Sequence, residues 1–394
     1  MIKKIFLILF LVLNVEAFSQ QTLFLDKKYD ESLALAKTEN KPLILMFYAK
    51  WCPHCNTMKK EVFTDKDVVE FYGKNYICAA IDAESDYGKE IRAKFDSKFK
   101  VSSYPTFAVL DSNEALLYCN SGEFKKDRFI SEGKEILQPE NQLPNIKKAF
   151  DADISNPDKC LKYITSLRKA GFDATPIAQK YLKTVKPEDK LTETNWRIFS
   201  NGINNFDTDE FRFIIQNKEA FAKAASPSRV DKKIAYTISE TMKPLVDKID
   251  TINYDKKRLV AESFKNRKID SLLYRFDLQI VSQTTNWKKY QKITIDNVEK
   301  FSWNDYNTLY DICNTYYETV NDKKGLLLAV EWSKHLLAAG ESIDKYIVTT
   351  KLLMKLKDYK QALVYAQKGK AIVDAMGFKN DQLNGLLEEI KKHT

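Results

Sequence analysis

Two cysteines separated by two residues, Cys52 and Cys55, are the side chains of this 394-residue chain with the clearest capacity for chemistry. Such a pair alternates between a dithiol and a disulfide, and so exchanges two electrons with another thiol or disulfide. The same spacing also supplies half of a zinc site, which needs two further Cys or His ligands. The two histidines outside the motif, His335 and His393, have no cysteine pair beside them. The spacing therefore predicts a redox pair and no metal site.

The elements on either side of this pair distinguish its two cysteines. The apolar run 42–49 predicts a strand that is buried on both faces of a sheet, and residues 56–71 have a helical pattern. Cys52 is thus predicted to lie at a helix N-terminus, where free backbone N–H groups and the positive end of the helix dipole favour a thiolate. We therefore expect Cys52 to be the nucleophile and Cys55, one turn further along, to be the resolving thiol.

Neighbouring side chains predict how this pair is tuned. Trp51, Pro53 and His54 are the candidate tuning residues, because they flank or separate the two cysteines. A protonated His54 would place a positive charge beside the nucleophile and stabilise its thiolate. Lys59 follows Cys55 by one helical turn and shares its face. It is a candidate for tuning that thiol, and a solvated surface charge is the alternative interpretation.

A second motif follows about fifty residues later, where Tyr104-Pro105-Thr106 precedes an apolar strand. Together with a Trp-Cys-x-x-Cys motif between a strand and a helix, it resembles the thioredoxin fold family over roughly residues 23–138. In that family the proline is cis, lies beside the redox pair, and follows a residue whose backbone binds a substrate peptide. The resemblance implies a central mixed sheet flanked by helices, with Tyr104 and Pro105 as the substrate-binding residues. An ordinary trans proline that opens a strand is the alternative.

Two details of the resemblance imply opposite directions of electron flow. The sequence pattern from Lys41-Pro42 through Met58 resembles that of the family branch that contains the periplasmic thioredoxin-like domain of the bacterial transmembrane thiol reductase. The Cys-Pro-His-Cys core instead resembles that of the bacterial periplasmic disulfide oxidants. Thioredoxins also carry a buried aspartate six residues before the first cysteine, where this chain has Met46. The resemblance thus implies a thiol–disulfide oxidoreductase without a cofactor, and leaves its direction open.

The N-terminus predicts export. Lys3 and Lys4 precede the apolar run 5–13, and small residues that suit cleavage follow up to Ser19. The run is about half of the ~20 residues that a transmembrane helix needs. We therefore expect residues 1–19 to be a signal peptide, and the mature chain to be a soluble periplasmic protein without an integral membrane segment. An oxidising compartment of this kind is where disulfide exchange is useful.

The other four cysteines are expected to stay unpaired. In the strand order that the resemblance implies, Cys78 and Cys119 are three strands apart. This separation is about 14 Å at ~4.8 Å per strand, beyond the ~7 Å limit between the Cα atoms of a disulfide. Cys160 and Cys313 lie in helical patterns and are expected to be small buried apolar residues.

The composition changes after residue 138. The proline-containing segment 139–144 is a predicted linker between a thioredoxin-like domain at 20–138 and a helical domain at 145–394. Apolar residues after the linker recur at helical spacing, and no proline follows Pro244. A faint repeat near 304–380 resembles the tetratricopeptide repeat, whose period is about 34 residues, and indicates a solenoid. Its matching residues are Ala329, Trp332 and Ser333, then Ala362, Tyr365 and Ala366.

The charge balance excludes little, but it argues against a nucleic-acid partner. The net charge is +9, from 63 Lys and Arg against 54 Asp and Glu, and these residues are interspersed rather than gathered into a basic face. The sequence therefore favours an exported oxidoreductase that acts on protein thiols and disulfides, together with an unidentified redox partner. The alternative is a partner-binding or chaperone-like module in which the helical domain dominates and redox activity is incidental.

Overall fold

The computed structural model of the protein describes residues 23–24 and 28–394. The chain divides into two compact units, one that ends at Pro227 and one that runs from Ser228 to Thr394. The predicted signal peptide, residues 1–19, lies outside the described residues. In the described part of the chain, no helix combines the length and the apolar character that crossing a membrane requires.

The first unit is built on a mixed sheet of four strands. These are β1 (Leu43–Tyr48), β2 (Ile77–Asp82), β3 (Thr106–Leu110) and β4 (Leu116–Ser121). Their order is β2-β1-β3-β4, with β1 and β2 parallel and the other two neighbouring pairs antiparallel. The predicted mixed sheet is confirmed. β2 and β4 are its edges, so Cys78 and Cys119 lie three strands apart as expected.

Helices flank this sheet and make up most of the remaining chain. The helices up to residue 224 are α1 (Tyr29–Glu39), α2 (Pro53–Glu61), α3 (Lys66–Asn75), α4 (Asp86–Phe95), α5 (Lys126–Ile136), α6 (Leu143–Ala152), α7 (Pro157–Lys169), α8 (Thr175–Leu182), α9 (Glu193–Gly202), α10 (Asp209–Gln216) and α11 (Lys218–Ala224). Those that follow are α12 (Pro227–Asp247), α13 (Thr251–Glu262), α14 (Arg267–Gln283), α15 (Trp287–Asn297), α16 (Tyr306–Thr319), α17 (Lys323–Ala339), α18 (Ile343–Lys355), α19 (Tyr359–Ala375) and α20 (Asp381–Lys391). Short 3-10 turns lie at Pro139–Asn141 and Pro187–Lys190, and a π-helical turn lies at Val298–Ser302.

Strand β1 has no polar alternation because both of its faces are buried. Leu43, Leu45 and Phe47 pack in an apolar cluster with residues of α1 and α4. Ile44 and Met46 point to the opposite face, into a second cluster with residues of α2, α3 and α5. The strand is therefore anchored from two sides, and it holds its C-terminal end, where α2 begins, in a fixed position.

The stretch 56–71, predicted as one helix, is divided between α2 and α3. Asp65 caps the start of α3 by accepting hydrogen bonds from two backbone N–H groups of its first turn. The helical pattern continues across the break because Val62 and Phe63, which lie between the two helices, pack in the same apolar cluster as both of them. The consequence for the site is that α2 is a short helix beginning at the redox motif.

The helices that follow the sheet pack against its edge. Both α6 and α7 contact β4. The backbone N–H of Lys100 donates to the carbonyl of Ala170 at 2.8 Å, and Leu143 and Phe172 pack against the cluster on one face of the sheet. The predicted linker begins with the 3-10 turn Pro139–Asn141, and the division of the chain there stays a prediction.

The second unit contains only helices among its elements, as predicted for this part of the chain. Successive helices from α16 to α20 pack together around a single apolar cluster, which includes Cys313 and Trp332. The two sets of repeated residues lie on α17 and α19, and a turn with Lys357 at φ 62° joins α18 to α19. The assignment of a tetratricopeptide-like repeat stays a prediction.

Candidate redox site

The redox motif lies at the C-terminal end of β1, where the chain turns into α2. Cys52 is the N-cap residue of α2, and its Sγ accepts a hydrogen bond from the backbone N–H of Cys55 at 3.2 Å. Pro53 occupies the first helical position, where its missing N–H leaves no unsatisfied donor. A sulfur in the N-cap position receives a backbone donor and faces the positive end of the helix, and both interactions favour a thiolate.

The two thiols differ in their surroundings. Cys55 is fully buried, and Cys52 lies just below the surface with 3% exposure. Burial, together with the hydrogen bond to Cys52, raises the pKa of the Cys55 thiol to about 12. Both cysteines pack with Ala49 in a small cluster that Tyr104 also contacts. The arrangement can hold one sulfur ready for attack and keep the other protonated.

The loop of the second motif lies directly beside Cys52. The Tyr104–Pro105 peptide bond is cis, and the Cys52 thiol donates to the carbonyl of Tyr104 at 3.6 Å. On the other side of the loop, Pro105 O accepts from the backbone N–H of Gly122 at 2.8 Å. Arg92 donates to the carbonyl of Val101 at 3.1 Å. The structure thus brings together the residues of the two predicted motifs, which are about fifty residues apart in the sequence.

Trp51 extends this surface toward solvent. Its side chain is 67% exposed, its ring meets the Tyr104 ring edge to face at 6.0 Å, and its Nε1 donates to Glu84 at 2.9 Å. A large aromatic residue that remains exposed beside a reactive thiol provides contact area for a bound polypeptide.

His54 has a partner that the sequence did not indicate. Its Nδ1 lies 2.7 Å from a carboxylate oxygen of Glu123, which follows strand β4 and is 69 residues away in the chain. The imidazole is exposed, and the carboxylate compensates for its charge when it is protonated. Local sequence gives no signal for this pair, because it depends on where β4 ends relative to α2.

Lys59 is half buried beside the motif. Its Nζ lies 3.5 Å above the centre of the Tyr48 ring. Burial lowers the pKa of Lys59, and the nearby Cys55 and Asp82 oppose that change. Lys60, the next residue, is exposed. Of the two interpretations made from the sequence, the solvated surface charge does not describe this side chain.

Met46 occupies the strand position where thioredoxins carry a buried carboxylate. It is fully buried in an apolar cluster, and its partner on β2 is Ala80. The interior of the sheet at this level therefore has no ionisable group on either of these two strands. Within the described residues, no group of three or more His, Cys, Asp or Glu side chains is placed to hold a metal ion.

Comparison with known proteins agrees with this geometry. Residues 25–112 match a family model described as thioredoxin-like. The chain carries a thioredoxin-like domain. Protein disulfide-isomerase A4 of Rattus norvegicus is 28% identical over 139 residues, which cover 34% of this chain and 20% of the relative. The human protein of the same name is 27% identical over 139 residues, which again cover 34% of this chain and 20% of the relative. This chain spans about a fifth of the length of the curated relatives that it matches.

Two bacterial proteins are among the solved structures that match part of this chain. A thioredoxin from Thermus thermophilus has 22% sequence identity and a TM-score of 0.25, and the match covers 28% of this chain and 84% of that one. The C-terminal domain of DsbD from Neisseria meningitidis, in its oxidised form, has 20% sequence identity and a TM-score of 0.23. The match covers 27% of this chain and 89% of that domain.

Proposed function

We propose that this protein is an exported thiol–disulfide oxidoreductase that exchanges disulfides with protein substrates through Cys52 and Cys55. The observation that carries the proposal is the position of the Cys52 sulfur, which accepts the Cys55 N–H at the start of α2 and lies beside the Tyr104 carbonyl. No cofactor is needed, because the two sulfurs supply both electrons. The N-terminal sequence supports export.

The reaction proceeds in two displacements. The Cys52 thiolate attacks one sulfur of a substrate disulfide, the substrate S–S bond breaks, and the departing sulfur takes up a proton. The Cys55 thiol then loses its proton to solvent and attacks the Cys52 sulfur of the mixed disulfide. That bond breaks, and the second substrate sulfur leaves and is protonated. The substrate gains two electrons and two protons, and Cys52 and Cys55 become a disulfide. The reverse sequence oxidises a dithiol substrate.

The environments of the two thiols support this division of roles. A thiol with a pKa of about 12, as for Cys55, is almost fully protonated near neutral pH and does not attack substrate disulfides on its own. Once Cys52 is in the mixed disulfide, Cys55 is the thiol in the adjacent turn of the same helix. Its attack is intramolecular and therefore needs only a small thiolate fraction.

The surface next to Cys52 suits an extended polypeptide. Tyr104 and Pro105 provide a loop that is fixed on both sides, and Trp51 adds an exposed ring next to it. A substrate chain that lies along this loop would bring its own disulfide to the Cys52 sulfur. We propose that Tyr104 and Pro105 bind the substrate backbone and that Trp51 contacts its side chains.

An insulin reduction assay with the full chain tests the proposal. We expect turnover with dithiothreitol as electron source, and no turnover above background in Cys52→Ser. Equilibration with glutathione buffers then gives the reduction potential, and with it the favoured direction. A full chain that is folded but does not reduce insulin at a rate above background would contradict the proposed function. Export is tested separately, by N-terminal sequencing of the mature protein from a periplasmic fraction.

A further inference from the structure

Resolution by Cys55 raises an electrostatic problem that the thiol pair alone does not solve. Cys55 is fully buried, and a buried thiol strongly disfavours its charged form. In the second displacement this sulfur must nevertheless become a thiolate before it attacks. A neighbouring positive charge, or a carboxylate that accepts the proton, is the usual solution to this problem.

The sheet does not provide that group at the level of Met46. Met46 and Ala80, which are paired across β1 and β2, are both apolar. His54 is exposed on the solvent side of α2 and is paired with Glu123. The compensating charge for Cys55 therefore has to come from another side chain.

Lys59 is the cation placed to provide it. It follows Cys55 by one turn of α2, so both side chains project from the same face of the helix. Its ammonium lies 3.5 Å above the Tyr48 ring, and Tyr48 itself packs against the cluster that contains Cys52 and Cys55. An aromatic ring face attracts an ammonium without cancelling its charge. Tyr48 thus positions the cation near the buried thiol.

The other charged groups near Lys59 do not neutralise its ammonium. From the end of β2, Asp82 interacts favourably with the Lys59 ammonium. The same carboxylate has a second cation, because the Nζ of Lys50 lies 3.4 Å from one of its oxygens. Asp82 is therefore shared between two lysines. The local balance of Lys50, Asp82 and Lys59 is one net positive charge beside the cysteines.

We propose that the Lys59 ammonium, held by Tyr48, stabilises the Cys55 thiolate during resolution of the mixed disulfide. The proton of Cys55 leaves to solvent and the electron pair stays on its sulfur. That pair then forms the bond to Cys52 while the substrate sulfur leaves. Lys59 keeps its proton throughout and acts only through its charge. The proposal rests on the proposed function, because it needs Cys55 to be the resolving thiol.

The size of the effect follows from two opposing trends. A nearby opposite charge changes a thiol pKa by about one to three units. A thiolate with a higher pKa is scarcer but more nucleophilic, with a Brønsted coefficient of about 0.4–0.5. Each unit of pKa therefore slows attack about threefold at neutral pH, so that loss of the Lys59 charge slows resolution roughly three- to thirtyfold.

Stopped-flow mixing of the reduced full chain with Ellman's reagent separates the two displacements. The first equivalent of coloured thiol reports attack by Cys52, and the second reports resolution by Cys55. Cys55→Ala identifies the second phase by abolishing it. Lys60→Met is the matched control, because it removes an exposed lysine from the adjacent position of the same helix.

We expect Lys59→Met to slow the second phase by the factor given above and to shift its rate–pH curve to higher pH. The first phase should keep its rate and amplitude, which also shows that the variant is folded. Lys59→Arg should retain most of the wild-type rate of the second phase, and Lys60→Met should change neither phase. An unchanged second phase in Lys59→Met, an equal slowing of both phases, or a slowing of the first phase alone would overturn the proposal. A wild-type protein without a second phase would instead contradict the proposed function.

Discussion

The cysteines of the redox motif and those of the protein interior are all buried, yet their sulfurs have different neighbours. Cys52 accepts a backbone N–H at the start of a helix. Cys313, in the core of the second unit, donates to the carbonyl of Ala329 at 3.7 Å. Burial raises the pKa of Cys160 and of Cys119 to about 12 in each case. Cys52 and Cys313 both donate to a carbonyl oxygen, so the feature that distinguishes Cys52 is the backbone N–H donor at the helix start, which favours a thiolate.

The comparison teaches that burial alone does not decide whether a cysteine is reactive. Local backbone geometry decides it, because Cys52 is the one of the six described cysteines that caps a helix N-terminus, where backbone N–H groups are free. All six cysteines are thiols in this structure, so the difference in their neighbours predicts differences in reactivity that can be measured on one protein.

The largest effect is expected on removal of the nucleophile. Cys52→Ser should reduce insulin turnover by at least about a thousandfold, because no other thiol in the described part of the chain lies both beside the proposed substrate loop and at a helix N-terminus. Cys160→Ala, the matched change at an interior cysteine, should leave kcat/KM within about twofold. Comparable losses in the two variants would show that the contrast between the two regions is wrong.

The next effect concerns alkylation of the native protein. With iodoacetamide near pH 8, Cys52 should react at least about a hundredfold faster than Cys160 or Cys313, which are fully buried and are reached only after local or global opening. Peptide mass spectrometry after timed quenching measures the order. Denaturant should abolish the difference. Early labelling of an interior cysteine in the folded state would contradict the assignment of that residue to a closed core.

A smaller effect is expected on the free energy of unfolding. Cys313→Ala should lower it by about 1–2 kcal/mol, since the smaller side chain leaves a cavity in the apolar cluster of the second unit. Insulin reduction should be unchanged. Urea unfolding followed by circular dichroism measures the stability, and the redox assay provides the activity. A loss of activity in folded Cys313→Ala would be the opposite of what the comparison predicts.

The smallest effect concerns the charge of His54. Glu123→Gln should raise the reduction potential by tens of millivolts, because it removes a negative charge that opposes the Cys52 thiolate and hence the reduced form. A change of ~30 mV corresponds to about 1.4 kcal/mol. Glutathione equilibration of Glu123→Gln, His54→Ala and the double variant measures the coupling.

These three variants and the wild type form a double-mutant cycle with a defined expected result. If Glu123 acts through the imidazole, the effect of Glu123→Gln should shrink when His54 is alanine. Glu84→Gln, which changes the carboxylate bonded to Trp51, is the control for a general effect of negative charge near the site. Equal shifts in Glu84→Gln and Glu123→Gln would show that the His54 pair has no specific role.

The sheet could be predicted from sequence in part by pattern and in part by resemblance. The apolar run of β1 indicated a strand with two buried faces, whereas the mixed sheet and the position of the loop beside the cysteines were implied by the resemblance that the two motifs carry. The division between α2 and α3 could not be recognised from apolar spacing, because residues on both sides of the break face one cluster. The signal was the capping residue Asp65.

The charges around the redox pair were predicted less well, for a physical reason. Helical spacing placed Lys59 on the face of Cys55, but only the tertiary fold shows that the Tyr48 ring receives its ammonium. The partner of His54 comes from the end of a distant strand. Pairwise contacts of this kind change when the end of a strand shifts by one or two residues, and sequence patterns do not define strand ends that closely.

The packing of α6 and α7 against β4 affects how the protein meets other chains. An edge strand exposes unpaired backbone groups that can recruit a strand from another molecule. Under the proposed function, extended substrate chains would meet α6 and α7 beside β4, which leaves less room for such chains to pair with this edge strand.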